Sequence, residues 1–153
     1  MPGAPHVALY QPEIPFNTGN VGRTCVAVGS PLHLIEPLGF SLSEWRVKRA
    51  GLDYWPRLDL RRHESFDALL AALPAGMPVL AFSASGATDF WDAPLDGDAC
   101  LLFGRESTGL PPEVLERCAG VYRIPMREGE RSLNLSTSVA VALYEALRQQ
   151  RHN

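Results

Sequence analysis

The sequence predicts an α/β domain: a mostly parallel sheet with helices on both faces. Two observations predict it. Short apolar runs alternate with helix-period segments from one end to the other, and parallel neighbours need such crossovers. Four of the runs are followed by loops rich in Gly, Pro, Ser and Asn, more than turn chemistry alone requires.

The elements follow in order. Strands are expected at His6–Tyr10, Leu32–Glu36, Pro78–Phe82, Ala99–Phe103 and Val121–Ile124, with Tyr54–Leu60 a weaker sixth. Helices are expected near Asn20–Val28, Ser43–Ala50, Ser65–Leu73, Pro112–Cys118 and Ser136–Gln150. Ser65 suits a cap, Pro112 a first turn, and Gly29 and Gly120 suit helix ends. In the last helix Val139, Ala142, Leu143, Ala146 and Leu147 form one buried stripe. Ala140, Val141 and Tyr144 widen it to a second face, which suits either deep burial or contact with a second copy. No repeat or linker divides the chain, so residues 1–153 read as a single domain without an additional RNA-binding domain.

Composition narrows the function classes. The chain is 46% hydrophobic and 20% charged, which is ordinary for a globular domain with a real core. Neither a membrane-length apolar run nor a signal-peptide layout is present, so the expected location is cytoplasmic. Cys25, Cys100 and Cys118 lack CxxC spacing, and His6, His33, His63 and His152 are scattered; buried thiols and no metal are expected. A net charge of −3 excludes indiscriminate coating of nucleic acid but allows local contact. Lys48 is the only lysine among 14 basic residues, and Arg forks onto phosphate where Lys cannot; the simpler account is an Ala-, Gly-, Pro- and Arg-rich composition. The basic clusters are Arg46-Val47-Lys48-Arg49 and Arg61-Arg62-His63.

Ligands of parallel sheets bind at the carboxyl ends of the strands, so the loops there carry the chemistry. In "LLFGRESTGLP", Leu101 to Pro111, the GxExxG spacing is not a phosphate loop, but Gly104 and Gly109 let backbone approach a ligand closely. In "IPM", Ile124 to Met126, Pro125 leaves neighbouring backbone groups without ladder partners. This is either a plain strand exit or a seat for an adenine edge. In "NTGNVGR" the start of a helix is marked by Thr18, Gly19 and Asn20, which places Arg23 in about its first turn, as a surface charge or an anion contact. Ser132, Asn134 and Ser136 stand two apart, on one side if the chain is extended there, and so face a site rather than a core.

Together "NTGNVGRT", "LLFGRESTGLP" and "IPM" followed by "SLNLSTSVAVALYEALR" resemble the three motifs of the SpoU branch of the SPOUT methyltransferases. The resemblance covers nearly the whole chain and is closest to the minimal members that methylate the ribose of the wobble cytidine or uridine of tRNA. It implies a C-terminal deep trefoil knot, S-adenosyl-L-methionine as cofactor, a homodimer, and tRNA, through its anticodon loop, as substrate. By position, cofactor contacts carry over to Phe82, Gly104, Ile124, Ser132 and Leu133, and the candidate catalytic Arg to Arg23, with Asn134 and Ser136 orienting the hydroxyl. Asn17 and Glu106 match the remaining polar motif positions. Asn17 and the basic residues Arg46, Lys48 and Arg49 are expected on the substrate side. "GREST" departs from forms with Pro after the first Gly, which leaves the local loop shape open. The competing readings are methylation of another tRNA or rRNA ribose, a catalytically inactive RNA-binding module on the same fold, and an unknotted nucleotide-binding module.

Overall fold

A computed structural model describes residues 3–42, 52–130 and 133–151. Its strands are β1 (His6–Tyr10), β2 (Leu32–Ile35), β3 (Leu60–His63), β4 (Val79–Phe82), β5 (Thr88–Asp89), β6 (Cys100–Phe103) and β7 (Gly120–Arg123). Its α-helices are α1 (Pro15–Val28), α2 (Phe66–Ala72), α3 (Pro112–Leu115) and α4 (Leu135–Gln150). The strands form one sheet in the order β3-β2-β1-β6-β4-β7-β5, with every pairing parallel. All four residues of β2, β4 and β6 are buried, as befits strands covered on both faces. On one face Leu9, Leu34, Leu101 and Phe103 pack with Val21 and Cys25 of α1 and Val139, Leu143 and Ala146 of α4. On the other, Ala8, Ile35, Ala81 and Leu102 pack with Phe66 and Leu69 of α2 and Val114 of α3. No helix among the described residues is long and apolar enough to cross a membrane.

The five main strands and the last helix stand where the periodicity places them, with ends shifted by a residue. Ser65 caps α2 through Ala68 N–H (3.1 Å), and Gly29 ends α1 at φ 77°. Other expectations need correction. The sixth strand is not Tyr54–Leu60: Leu52–Arg57 is a 3₁₀ helix containing Pro56, and β3 begins at Leu60. Tertiary contact decides this. Tyr54 is 2% exposed and donates its hydroxyl to Gly19 O, while a Cβ at Gly22 would meet Leu58 Cδ2 at 3.1 Å and Trp55 Cζ3 at 3.3 Å. Gly120 opens β7 rather than ending a helix, because α3 stops at Leu115. The two-residue β5 is too short to carry a period. The helix expected at Ser43–Ala50 lies outside the described residues.

Nor are the histidines scattered in space. His6, His33 and His63 lie on adjacent strands and join in a chain, His6 Nδ1 to His33 Nε2 and His33 Nδ1 to His63 Nε2, each 2.8 Å. Their rings stack at 5.1 and 5.0 Å. With those nitrogens engaged in each other, this row is no metal cage, and no group that could hold a metal is found among the described residues. Both bonds survive one added proton, since the outer nitrogens of His6 and His63 can then both carry hydrogen; another would set two N–H groups face to face. Burial, then the neighbouring His6, His63 and Arg61, lowers His33 to about 3, and burial also lowers His6 and His63. Arg61 opposes protonation throughout, with Asp59 and Asp98 the nearby acids that favour it at His6.

The unfolded chain therefore takes up protons below about pH 6.5 that the folded chain refuses, so stability is full above that pH and declines toward pH 3. Urea unfolding at pH 7 and pH 5 should show a loss of about 2 kcal/mol from His33 alone. His33→Gln should flatten that slope; an unchanged slope would contradict the account.

Candidate functional site

Leaving β6, the chain makes a closed tip. Arg105 and Gly109 exchange both backbone hydrogen bonds (Arg105 N–H to Gly109 O 3.2 Å, Gly109 N–H to Arg105 O 2.9 Å), with Gly109 at φ 68°. A Cβ on Gly104 would lie 2.3 Å from the Gly109 carbonyl carbon and 2.5 Å from Leu110 N, so only glycine fits there.

The tip clasps the loop between β1 and α1. Helix α1 has no cap of its own, since Ile14 occupies that position. Glu106 instead anchors the two residues before the first turn: Oε1 takes Glu13 N–H (2.8 Å) and Oε2 takes Ile14 N–H (2.9 Å), which sets a carboxylate at the helix N-terminus. Reciprocally, Ser107 donates its N–H and hydroxyl to Glu13 Oε1 (2.9 and 2.8 Å). Those bonds hold the Glu13 carboxyl below the usual carboxylate range.

The third loop joins through amides. Asn17 Nδ2 donates to Glu106 Oε2 (3.4 Å), and Asn17 Oδ1 accepts from Asn134 Nδ2 (3.1 Å). Asn134 caps α4, its Oδ1 accepting from Ser136 N–H (2.9 Å), Ser136 Oγ (2.6 Å) and Thr137 N–H (3.4 Å). A single polar chain, Glu106–Asn17–Asn134–Ser136, thus ties together loops about 120 residues apart in sequence.

These loops enclose a cavity of about 650 Å³ at the carboxyl ends of the strands. Its apolar lining includes Phe82, stacked on Phe103 at 5.0 Å, with Ile124, Met126 and Leu133. Ser83, Ser85, Ser107, Asn17 and Asn134 add polar groups to the lining. Ile14, Met126 and Leu133 are exposed apolar side chains that line it, and so are available to cover a flat ligand.

Residues 4–144 match the model of the SpoU rRNA Methylase family. The chain belongs to that family. It is 47% identical over 153 residues to a putative tRNA (cytidine(34)-2'-O)-methyltransferase of Bacillus subtilis, spanning 96% of this chain and 94% of that one. It is 50% identical over 148 residues to a tRNA (cytidine(34)-2'-O)-methyltransferase of Burkholderia cenocepacia, covering 94% of each. Among solved structures, one described as giving structural insights into 2-OH methylation of C/U34 on tRNA superposes with TM-score 0.94 at 56% identity over 100% of both chains. An AdoMet-bound rRNA methyltransferase of Sinorhizobium meliloti gives 0.85 at 29% identity over 97% of this chain and 57% of the other.

Residues of all three SpoU motif loops meet at this cavity. Asn17, Phe82, Gly104, Ile124, Leu133 and Asn134 line the cavity. Ser132, Arg46, Lys48 and Arg49 lie outside the described residues. Ser136 is not on an extended stretch; α4 begins at Leu135, so it sits in the first turn and reaches the wall through Asn134. Arg23 is not in a first turn either. Pro15 preorganises an earlier start, and Thr18, Gly19 and Asn20 are helix interior. Arg23 therefore stands mid-helix, away from the N-terminal dipole, with its side chain 67% exposed, 3.8 Å from Asp53 and 5.7 Å from the centre of the Tyr54 ring. It is not part of the cavity wall in this chain. The Arg61-Arg62 cluster is occupied by Asp59 and Glu36. Sequence reasoning missed Glu13, Ser107 and Ser138; an acid just before Pro15 at a helix start was the available signal for Glu13.

Glu106→Gln removes half of the acceptor that holds two backbone N–H groups. It should cost about 1–3 kcal/mol in urea unfolding and speed amide exchange at Glu13 and Ile14. Unaltered exchange at both amides would show that α1 does not depend on this carboxylate.

Proposed function

We propose that the protein is an S-adenosylmethionine-dependent methyltransferase acting on the ribose 2'-hydroxyl of the wobble nucleotide, cytidine or uridine 34, of tRNA, as a cytoplasmic homodimer. The observation that carries this is the cavity where all three SpoU motif loops are tied by the Glu106–Asn17–Asn134–Ser136 chain. Its fit to S-adenosylmethionine rests on the glycine-only approach at Gly104, the apolar Phe82 and Ile124 side chains for a heterocycle and the hydroxyls that share the lining. When bound, the cofactor supplies an already activated methyl group.

The residues have the task of alignment. Holding donor and acceptor in line is worth about 7–11 kcal/mol when the geometry is good. Asn134 is spent on holding loops together, so its role is to fix Ser136. The Ser136 hydroxyl donates to Asn134 Oδ1, which leaves its lone pairs to accept from the ribose hydroxyl. The Arg23 guanidinium lowers the energy of the developing alkoxide by its charge, while the hydroxyl proton leaves to solvent.

Because Arg23 stands outside the cavity of its own chain, we assign it to the cavity of a second copy. Phe16 is 56% exposed on the same helix face, and Val141 and Tyr144 are 37% and 56% exposed on α4, the apolar surface a second copy would cover. Arg46, Lys48 and Arg49 are assigned to the tRNA backbone. The knot is also part of this reading: β7 lies between β4 and β5, both of which precede it in sequence, the slot that a threaded C-terminal segment would occupy.

Labelled S-adenosylmethionine with bulk tRNA should yield 2'-O-methylcytidine and 2'-O-methyluridine on nucleoside analysis; label in another nucleoside would redirect the substrate assignment. Arg23→Ala and Asn134→Ala homodimers should each be inactive. Mixing them should restore activity, since a hybrid pairs one intact cavity with the other copy's intact Arg23. Continued silence after subunit exchange would place Arg23 in its own chain's site.

A further inference from the structure

The closed tip at 104–109 has a shape set by its own backbone, but that ring does not set its tilt against β1. Side chains decide the tilt: Glu106 and Ser107 tie the tip to Glu13 and Ile14, and Arg105, which also lines the cavity, ties it to the end of β1. Arg105 donates from Nε and Nη2 to a single acceptor, Gln11 Oε1 (2.9 and 2.5 Å), and from Nη1 to Thr108 Oγ1 (3.3 Å). Its guanidinium carbon lies 4.9 Å from the centre of the Tyr10 ring, a cation–π distance. Gln11 is itself unusual, as a non-glycine residue at φ 47°. Such a backbone conformation is disfavoured for a side-chain-bearing residue and persists where surroundings over-determine it. Here its N–H is held by Ile35 O (2.9 Å) and its side chain by the Arg105 fork.

We infer that Arg105 is a positioning residue for the cofactor: through its fork on Gln11 it sets the tilt of the 104–109 wall, and with it cofactor affinity, without touching the reacting atoms. The inference rests on reading the cavity as the S-adenosylmethionine site. A planar fork fixes rotation about the contact, whereas an ammonium in the same place is a point charge that lets the tip swivel. Arg105 is thus chosen for shape as much as for charge.

The test is titration calorimetry of the full chain with S-adenosylmethionine, alongside urea unfolding and KM for tRNA. Arg105→Lys and Arg105→Ala should each raise the cofactor Kd about tenfold, the loss of a charge-assisted fork. Unfolding midpoints and the KM for tRNA should stay near wild type. Gln11→Glu, which offers the fork a carboxylate, should bind within about twofold of wild type. Gln11→Ala should weaken binding and add little on top of Arg105→Ala, because the two act as one contact. Wild-type affinity in Arg105→Lys, with wild-type protein binding normally, would overturn this inference alone. Losses of affinity that track losses of stability would make Arg105 merely structural and overturn it too. Failure of the wild-type protein to bind would overturn the cavity reading and this inference with it.

Discussion

The carboxylate of Glu106 is the contact on which the site depends. Helix α1 starts on a residue that cannot cap it, and the two N–H groups just before its first turn are held by a carboxylate from a tip 92 residues further along the chain. Because the same carboxylate also takes the Asn17 amide, the helix start and the amide chain to α4 share one anchor. A stretch that looks like loop in the sequence is thereby helix, and the loops around the cavity inherit its position.

The cavity wall is shaped largely by backbone. Gly104 admits no side chain, Gly109 turns the tip back on itself, and Pro125 leads the chain out of the sheet. Side chains then set how these pieces lean on one another: Glu106 and Ser107 against Glu13 and Ile14, Arg105 against Gln11 and Tyr10. A site of this kind binds by preorganisation, because its groups are already held by one another and little ordering remains when a ligand enters. Its charged and amide side chains are mostly engaged in scaffolding. That leaves the ligand contacts to backbone, hydroxyls and apolar faces.

The opposite edge of the sheet has a different character. The row His6, His33 and His63 buries three titratable rings in mutual hydrogen bonds, remote from the cavity and unrelated in sequence to the family motifs. It ties the three strands β1, β2 and β3 on the face covered by α2. Burial also pushes the Cys25 and Cys100 thiols up, so these cysteines are packing groups rather than nucleophiles.

Apolar periodicity by itself determined the five main strands, α2 and α4, because those elements bury a face whose spacing is set by local geometry. The motif residues Asn17, Gly104, Ile124, Leu133 and Asn134 were legible for a related reason: glycine, proline and amide side chains at strand exits have few other uses. Tertiary structure alone decided the rest. The start of α1 hangs on a carboxylate from a distant loop, the 3₁₀ turn at Leu52–Arg57 on the space left by Gly22, and the meeting of three histidines on the order of strands in the sheet. Arg23 shows the difference most clearly. Its residue type and motif were plain in the sequence, but its distance from the cavity followed from a helix that begins five residues early, and partners so far apart along a chain leave no period to read.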